Sequence, residues 1–281
     1  MHKAFVMFAL FTGLVAGRVY AQEFEVGVQG GASGYMGDLN PENPLAYNDW
    51  GAGIMVKYNI NHTWGIRTNL NYANIGANDA DSKVEQRQQR GLSFFGHVME
   101  ASLVADFNFF RWLPQRGRVV YTPYIFAGIA GIHFEPKGYL PSNGKEVKLR
   151  DVMTEQDANG TSTSYGKYAL AIPFGVGFKY NLRGPWSVGV EIGYRLALTD
   201  YLDDVSGFYP TGHSPTGQPP ADLPNNVTPD DWHKLAFGGL STASPLPSGT
   251  QRGDGRPYDS YMTAGITLSY TIFRGGCPEW R

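Results

Sequence analysis

The sequence predicts an all-β chain: an eight-stranded antiparallel transmembrane β-barrel with long external loops and short periplasmic turns. Three observations carry this reading. Segments with apolar and aromatic residues on every second position recur along the whole chain. There are eight, each about 11–17 residues long, against roughly 5–6 for strands of soluble proteins; that length suits a tilted crossing of a bilayer. The connections alternate between short (61–63, 111–120, 183–185) and long (36–49, 76–93, 135–167, 200–258), the asymmetry of outer-membrane barrels. An even strand count places both termini on the short-turn, periplasmic side.

The chain opens with "MHKAFVMFALFTGLVAGRVYA", in which His2 and Lys3 precede an apolar run and small residues end at Ala21. This is the anatomy of a secretory signal peptide, residues 1–21, cleaved after Ala21. No Cys follows, so no lipid anchor is expected. Residues 22–274 then form the barrel, and 275–281 a periplasmic C-terminal tail. The first strand, 23–35, sets Phe24, Val26 and Val28 against Glu23, Glu25 and Gln29. The second, 50–60, sets Trp50, Ile54 and Val56 against Gly51, Gly53, Lys57 and Asn59. The third, 64–75, opposes Trp64, Ile66, Leu70 and Tyr72 to Arg67, Asn69 and Asn71. The fourth, 94–110, opposes Phe95, Met99, Leu103 and Phe107 to Glu100, Ser102 and Asp106, with His97 on the outer face near the top. The fifth, 121–134, puts Tyr124, Phe126, Ile132 and Phe134 in phase, with His133 inward. The remaining strands are 168–182, 186–198 and 259–273.

With lipid on the apolar side, Trp50, Trp64, Tyr58, Tyr72, Tyr124, Tyr168, Tyr180 and Phe109 fit two aromatic girdles. Trp186 belongs at the periplasmic interface and Tyr201 near the outer one. An eight-stranded barrel encloses only enough room for side chains. The 36 Gly, about 13% against a usual 7%, make space for long inward charges: Lys57, Arg67, Glu100, Asp106, Lys179, Glu191 and Arg195. These are expected to form a buried ion-pair network, since buried charges are tolerated only when paired. The net charge of −2 offers no basic face for nucleic acid. No run of 18 apolar residues lies beyond the N-terminus, so no transmembrane helix is expected in the mature chain.

Catalysis finds little support. A lipid hydrolase needs a nucleophile, a His and an acid within hydrogen-bond reach. His97 is near Ser93, but His97 and Glu100 have opposite strand parity and face opposite sides. His133 has no evident Ser partner. "TDYLDDVSG" could offer carboxylates to Ca²⁺, yet D-x-x-D-D lacks regularly alternating ligands, so solvated or girdle-capping loop residues are expected. The Arg-Gly-Asp at 252–254 reads as a turn formed by Gly253 and Gly255. The 200–258 connection, rich in Pro, Gly, Ser and Asn, reads as a mobile external loop, with "WHKLAFGGL" (232–240) a short helical or lid segment. No catalytic residue, cofactor or metal site is expected.

"GYMGDLNPENP", "GLSFFGHVMEASLVADFNFF", "TPYIFAGIAGIHFEPKG", "YALAIPFGVGFKYNL", "TDYLDDVSGFY" and "QRGD" resemble, in this order and across the mature chain, the PorG family of small outer-membrane barrels of the type IX secretion system. The resemblance implies a non-enzymatic barrel associated with the periplasmic ring of PorK and PorN, supporting secretion of cargo with a C-terminal sorting signal. The ring-facing surface is then periplasmic. There "RWLPQRGR" (111–118) brings Arg111, Arg116 and Arg118 beside Trp112, a docking patch or an interfacial anchor. Cys277, the only Cys, is either a free thiol or half of an intermolecular disulfide in an oxidising compartment. The alternative reading is an outer-membrane enzyme or small-ligand binder with a site among the external loops.

Overall fold

A computed structural model describes residues 23–41, 43, 45–112, 120–156, 164–210, 219–240, 246–247 and 249–272. The expected signal peptide and C-terminal tail lie outside them. Eight long strands form the barrel: β1 (Glu23–Met36), β2 (Asp49–Asn59), β3 (Trp64–Asn78), β4 (Ser93–Asn108), β5 (Tyr121–Tyr139), β7 (Tyr168–Arg183), β8 (Trp186–Ala197) and β9 (Ser260–Ile272). Every neighbouring pair is antiparallel. The sheet runs β4-β3-β2-β1-β9-β8-β7-β5 and closes through β4–β5, which leaves these strands no open edge. The short β6 (Glu146–Lys148) pairs with the far end of β5.

The short turns follow from local chemistry. Asn61 Oδ1 accepts from the backbone N–H of Thr63 and Trp64, both at 2.8 Å, an Asx turn that joins β2 to β3. Between β7 and β8, Gly184 takes a φ of 60°, a left-handed conformation that glycine adopts without steric cost. Phe24 pairs with Ile272 at this same end.

The outward face is what a bilayer requires. Tyr168, Ile129, Leu170, Trp50 and Ile266 are more than half exposed, an apolar surface that is costly to hold in water. Among the described residues no helix is long and apolar enough to cross a membrane. The strand phases agree with the alternation in the sequence except at β5. There Tyr124, Phe126, Ile132 and Phe134 are buried inside, while Ile125 and Ile129 face out. Register decides this: Ile132 pairs with inward Glu100 and His133 with outward Met99. Tyr124 is therefore a lumen residue and not a girdle residue, and His133 points outward. The lumen accepts these rings because Gly175, Gly177 and Gly193 face them; a Cβ on Gly177 would come within 2.3 Å of Tyr124.

Loops fold over the far end of the barrel. They carry a 3₁₀ turn (Asp79–Asp81) and helices α1 (Glu85–Arg90), α2 (Leu149–Val152) and α3 (Pro229–Phe237). α3 begins with a capping box: Thr228 Oγ1 accepts from the Asp231 N–H, the Asp231 carboxylate accepts from the Thr228 N–H, and Pro229 sits at the first helical turn. The Asp231 carboxylate also accepts from Ser142 N–H and Oγ, both at 2.8 Å, tying α3 to the 140s loop. Trp232, Ala236, Phe237, Val227 and Tyr209 make a core with Leu140, Val147 and Val152. The 200–258 connection is thus folded over its described residues. Its apolar residues, too few to build a core alone, are covered by a second loop.

Candidate functional site

Two buried polar centres stack along the barrel axis. The lower one is the lumen. Asp106 holds two cations, Lys57 Nζ at 2.6 Å and Arg67 Nε at 3.4 Å. Arg67 Nη1 reaches Glu191 Oε2 at 2.7 Å, which also accepts from the Tyr124 hydroxyl at 2.8 Å. Higher up, Glu100 Oε2 meets Arg195 Nε at 3.2 Å and the Tyr261 hydroxyl at 2.6 Å, while Glu100 Oε1 accepts from Asn71 at 2.8 Å. All seven inward charges named from strand parity, Lys57, Arg67, Glu100, Asp106, Lys179, Glu191 and Arg195, are buried here. The strand-one residue Glu25 joins them, accepting from Asn59 at 2.9 Å and from Trp112 Nε1 at 3.1 Å. Its place on the polar face of β1 is the signal the sequence offers for it. With Glu25 included, four cations face four carboxylates.

Lys179 differs from the rest. Its Nζ has no hydrogen-bond acceptor among the described residues and lies 4.7 Å from the centre of the Trp112 ring and 5.3 Å from that of Tyr124, a cation–π seat. Trp112 is therefore a plug under the lumen, 3% exposed, and not an exposed docking aromatic. Its indole N–H is drawn in by Glu25. Arg111 beside it is exposed; Arg116, Arg118 and Cys277 lie outside the described residues. Two lumen cavities, about 40 Å³ and about 20 Å³, have room for roughly one to three waters each.

The upper centre sits where the loops cross. Arg252, of the Arg-Gly-Asp triplet, is buried, so the triplet cannot be presented as an exposed ligand. Its guanidinium donates to the carbonyls of Leu235 (3.2 Å) and Ala236 (3.1 Å) at the end of α3, to the Asp204 carbonyl, and to Thr154 Oγ1 and Glu155 Oε1. A cation there complements the carbonyl end of the helix. Glu155 in turn accepts from the N–H groups of Ser206 and Gly207. Asp204, at a φ of 69°, accepts from the hydroxyls of Thr154 and Tyr165. "TDYLDDVSG" and "QRGD", weak signals apart, meet in one knot. The expectation that Asp203 and Asp204 are solvated is corrected: both are buried, because Leu202 and Val205 beside them enter the core above the lumen and carry the carboxylates in.

The stretch after strand one completes the knot. Asp38 accepts from the Asp254 N–H at 2.9 Å, and its carbonyl accepts from Arg87 and Arg90. Asp259 accepts from the Tyr35 hydroxyl at 2.8 Å and the Leu202 N–H at 3.0 Å. Asp38, Asp203 and Asp259 are buried without an ion pair among the described residues. Burial pushes Asp38 up to about 8. Burial, then the neighbouring Asp259 and Asp38, pushes Asp203 well above the usual carboxylate range, and burial does the same to Asp259. Burial raises Asp204 only to about 6, with Arg252 opposing it. Among the described residues no group of three or more His, Cys, Asp or Glu is placed to hold a metal ion.

A catalytic constellation does not assemble around the sequence candidates. His97 faces outward and stacks on Tyr72 at 5.3 Å, while Glu100 is enclosed in the lumen. His133 stands against Tyr168 at 5.0 Å on the outer face.

The family model described as a domain of unknown function, DUF6089, matches residues 3–240. The chain belongs to the DUF6089 family. No curated protein matches this DUF6089 chain. Among solved structures it is similar to a major outer membrane protein from Thermus thermophilus (12% identity, 90% of this chain and 100% of that one, TM-score 0.43). It is also similar to Neisserial surface protein A (11%, 87% and 95%, 0.38) and to the N-terminal β-barrel domain of Pseudomonas aeruginosa OprF (11%, 89% and 97%, 0.36). At these identities and scores the likeness bears on no function.

Proposed function

We propose that the protein is a non-enzymatic barrel of the bacterial outer membrane that works through its surfaces: a structural component of the type IX secretion system, with both termini periplasmic, associating with the PorK/PorN ring. The observation that carries the first half is the filled lumen. Four cations and four carboxylates occupy the space a channel or an internal substrate would need, and the external mouth is covered by the Arg252 knot. The membrane placement rests on the apolar outward face and its aromatic girdles. The secretion role rests on the PorG resemblance of the ordered segments, three of which, "GYMGDLNP", "TDYLDDVSG" and "QRGD", meet in that knot.

Ring docking then falls to the short-turn end, with Arg111, Arg116 and Arg118 as its basic patch and Cys277 as a covalent tether. Affinity capture of the tagged protein from detergent-solubilised native membranes tests this. Co-capture of PorK and PorN supports it, and their absence, with cargo secretion intact in a deletion strain, overturns it. If capture is positive, a non-reducing gel of membranes lysed with a thiol-blocking reagent reads the tether. A high band lost in Cys277→Ser supports it, and a monomer carrying a blocked thiol refutes it.

A further inference from the structure

The lipid-facing surface is not uniform. Around the barrel, Ile54, Leu70, Ala101, Gly131 and Leu170 stand in one continuous row of directly paired residues. Large side chains at both sides of this row flank Ala101 and Gly131, which have almost none. One step toward the loops the paired row carries Tyr72, Met99, His133 and Tyr168; one step the other way it carries Leu103, opposite Ile129. The result is an apolar pit in the outer wall, floored by Ala101 and Gly131 and roofed by Met99 and His133. A Cβ built on Gly131 meets nothing within 4 Å. Barrel packing therefore does not require glycine there, and the depression is open to a ligand.

Directly above the roof the same outward face turns ionic. Glu135, which pairs with His97, and Lys137 follow His133 along β5, and Lys148 of β6 pairs with Lys137. Lys148 and Lys167 both contact the one oxygen Glu135 Oε1, at 2.9 Å and 3.6 Å, and Lys137 contacts Glu146 at 3.0 Å. Three lysines thus share two carboxylates, and exposed Lys145 adds a fourth cation. From Gly131 to Lys137 is six residues, roughly 20 Å along a strand, or about 15 Å of depth at the usual tilt. That separation spans a headgroup and the upper part of an acyl chain.

We propose that this face is a binding site for one outer-leaflet lipid with a phosphorylated headgroup, its acyl chain in the Ala101–Gly131 pit and its phosphate on Lys137, Lys148 and Lys167. The surplus of cations fixes the class: a phosphate satisfies lysines that a shared carboxylate leaves under-neutralised, and basic side chains at this depth attract anionic headgroups. His97 and His133 line the step between pit and lysines, where an ester or sugar would lie. The site rests on the outer-membrane reading for its leaflet, and is independent of ring docking.

Native mass spectrometry of the detergent-purified barrel, titrated with lipid A or with chemically dephosphorylated lipid A, tests it. The wild type is expected to retain one copy of lipid A and to hold the dephosphorylated form roughly ten-fold less. Lys148→Glu/Lys167→Glu should lose that preference, and Gly131→Leu, which fills the pit, should weaken both lipids. Heat-modifiable gel mobility reports whether each variant is folded. Equal retention of the two lipids by the wild type, or several copies unaffected by either variant as for ordinary surrounding lipid, overturns the site. Failure to capture the ring with one-copy lipid retention intact would count against the secretion role alone.

Discussion

The lumen and the loop knot are both buried and both charged, yet they are neutralised differently. In the lumen Asp106, Glu191 and Glu100 each contact a guanidinium or ammonium group, and opposite charges balance four to four. In the knot Arg252 serves Glu155 and Asp204, while Asp38, Asp203 and Asp259 crowd together around Tyr35 with no ion pair among the described residues. Protons take the place that cations hold below. Each of those three lumen carboxylates has a cation against it; a buried one raised to about 8 without such a partner does not keep one state. The barrel's inside is therefore built to be fixed, and its cover to respond to pH.

The largest effect should come from breaking the lumen. Glu191→Ala leaves Arg67 sharing only Asp106 and removes the acceptor of Tyr124, and should cost about 3–5 kcal/mol, read by denaturant unfolding in detergent. A cost under about 1 kcal/mol would mean that water reaches the pair. Arg252→Ala comes next. It strips donors from Glu155 and from three carbonyls, and should lower the local stability of the loop cover by about 2–4 kcal/mol. Hydrogen exchange should then speed up over 200–210 and 229–240 with the barrel strands unmoved; equal loosening of the strands would erase the distinction between the two centres.

The pH effect is of a different kind, spread over several pH units. Asp38 has a folded pKa raised above its unfolded value near 4, so the folded knot binds a proton that the open one releases. Stability should be greatest at acid pH and fall as pH rises from about 4, with Asp38 contributing up to about 8 and the more strongly raised Asp203 and Asp259 adding to the fall. Asp204, raised to about 6, adds to the lower part of that fall. Exchange rates in the cover should accordingly rise between pH 5 and 9, and Asp38→Asn should make that rise shallower up to about pH 8. A rate that, corrected for intrinsic chemistry, falls with pH would refute the proton-held knot. Smallest is Lys179→Met. Lys179 has no hydrogen-bond acceptor among the described residues, and its closest partners are the rings of Trp112 and Tyr124, so the change should be within about 1 kcal/mol. A cost like that of Glu191→Ala would mean that Lys179 is needed to balance the lumen carboxylates.

The barrel is legible in the sequence because alternation is a local property: Trp186 to Leu198 marks its two faces without knowledge of any neighbour. Alternation misleads at β5 because the inward side of that strand is as aromatic as its outward one. Only register with Glu100 and Met99 separates Tyr124 and Phe126 from Ile125 and Ile129. Trp112 escapes for a related reason, since a tryptophan after a strand fits an interface as readily as a plug until Glu25 is seen beside it. The knot is invisible for a different one. Asp38, Glu155, Asp204 and Arg252 are far apart along the chain, and no spacing in the sequence records that loops cross.

Planar-bilayer recording of the purified barrel tests most directly whether the lumen is closed and the protein works from its surfaces. Reconstituted wild type should give no steady single-channel conductance at neutral pH, and Arg252→Ala, which loosens the cover alone, should remain silent because the lumen pairs still fill the barrel. Stable, ion-selective openings in the wild type would contradict the account, and would make Lys57, Arg67, Asp106 and Glu191 the lining of a channel.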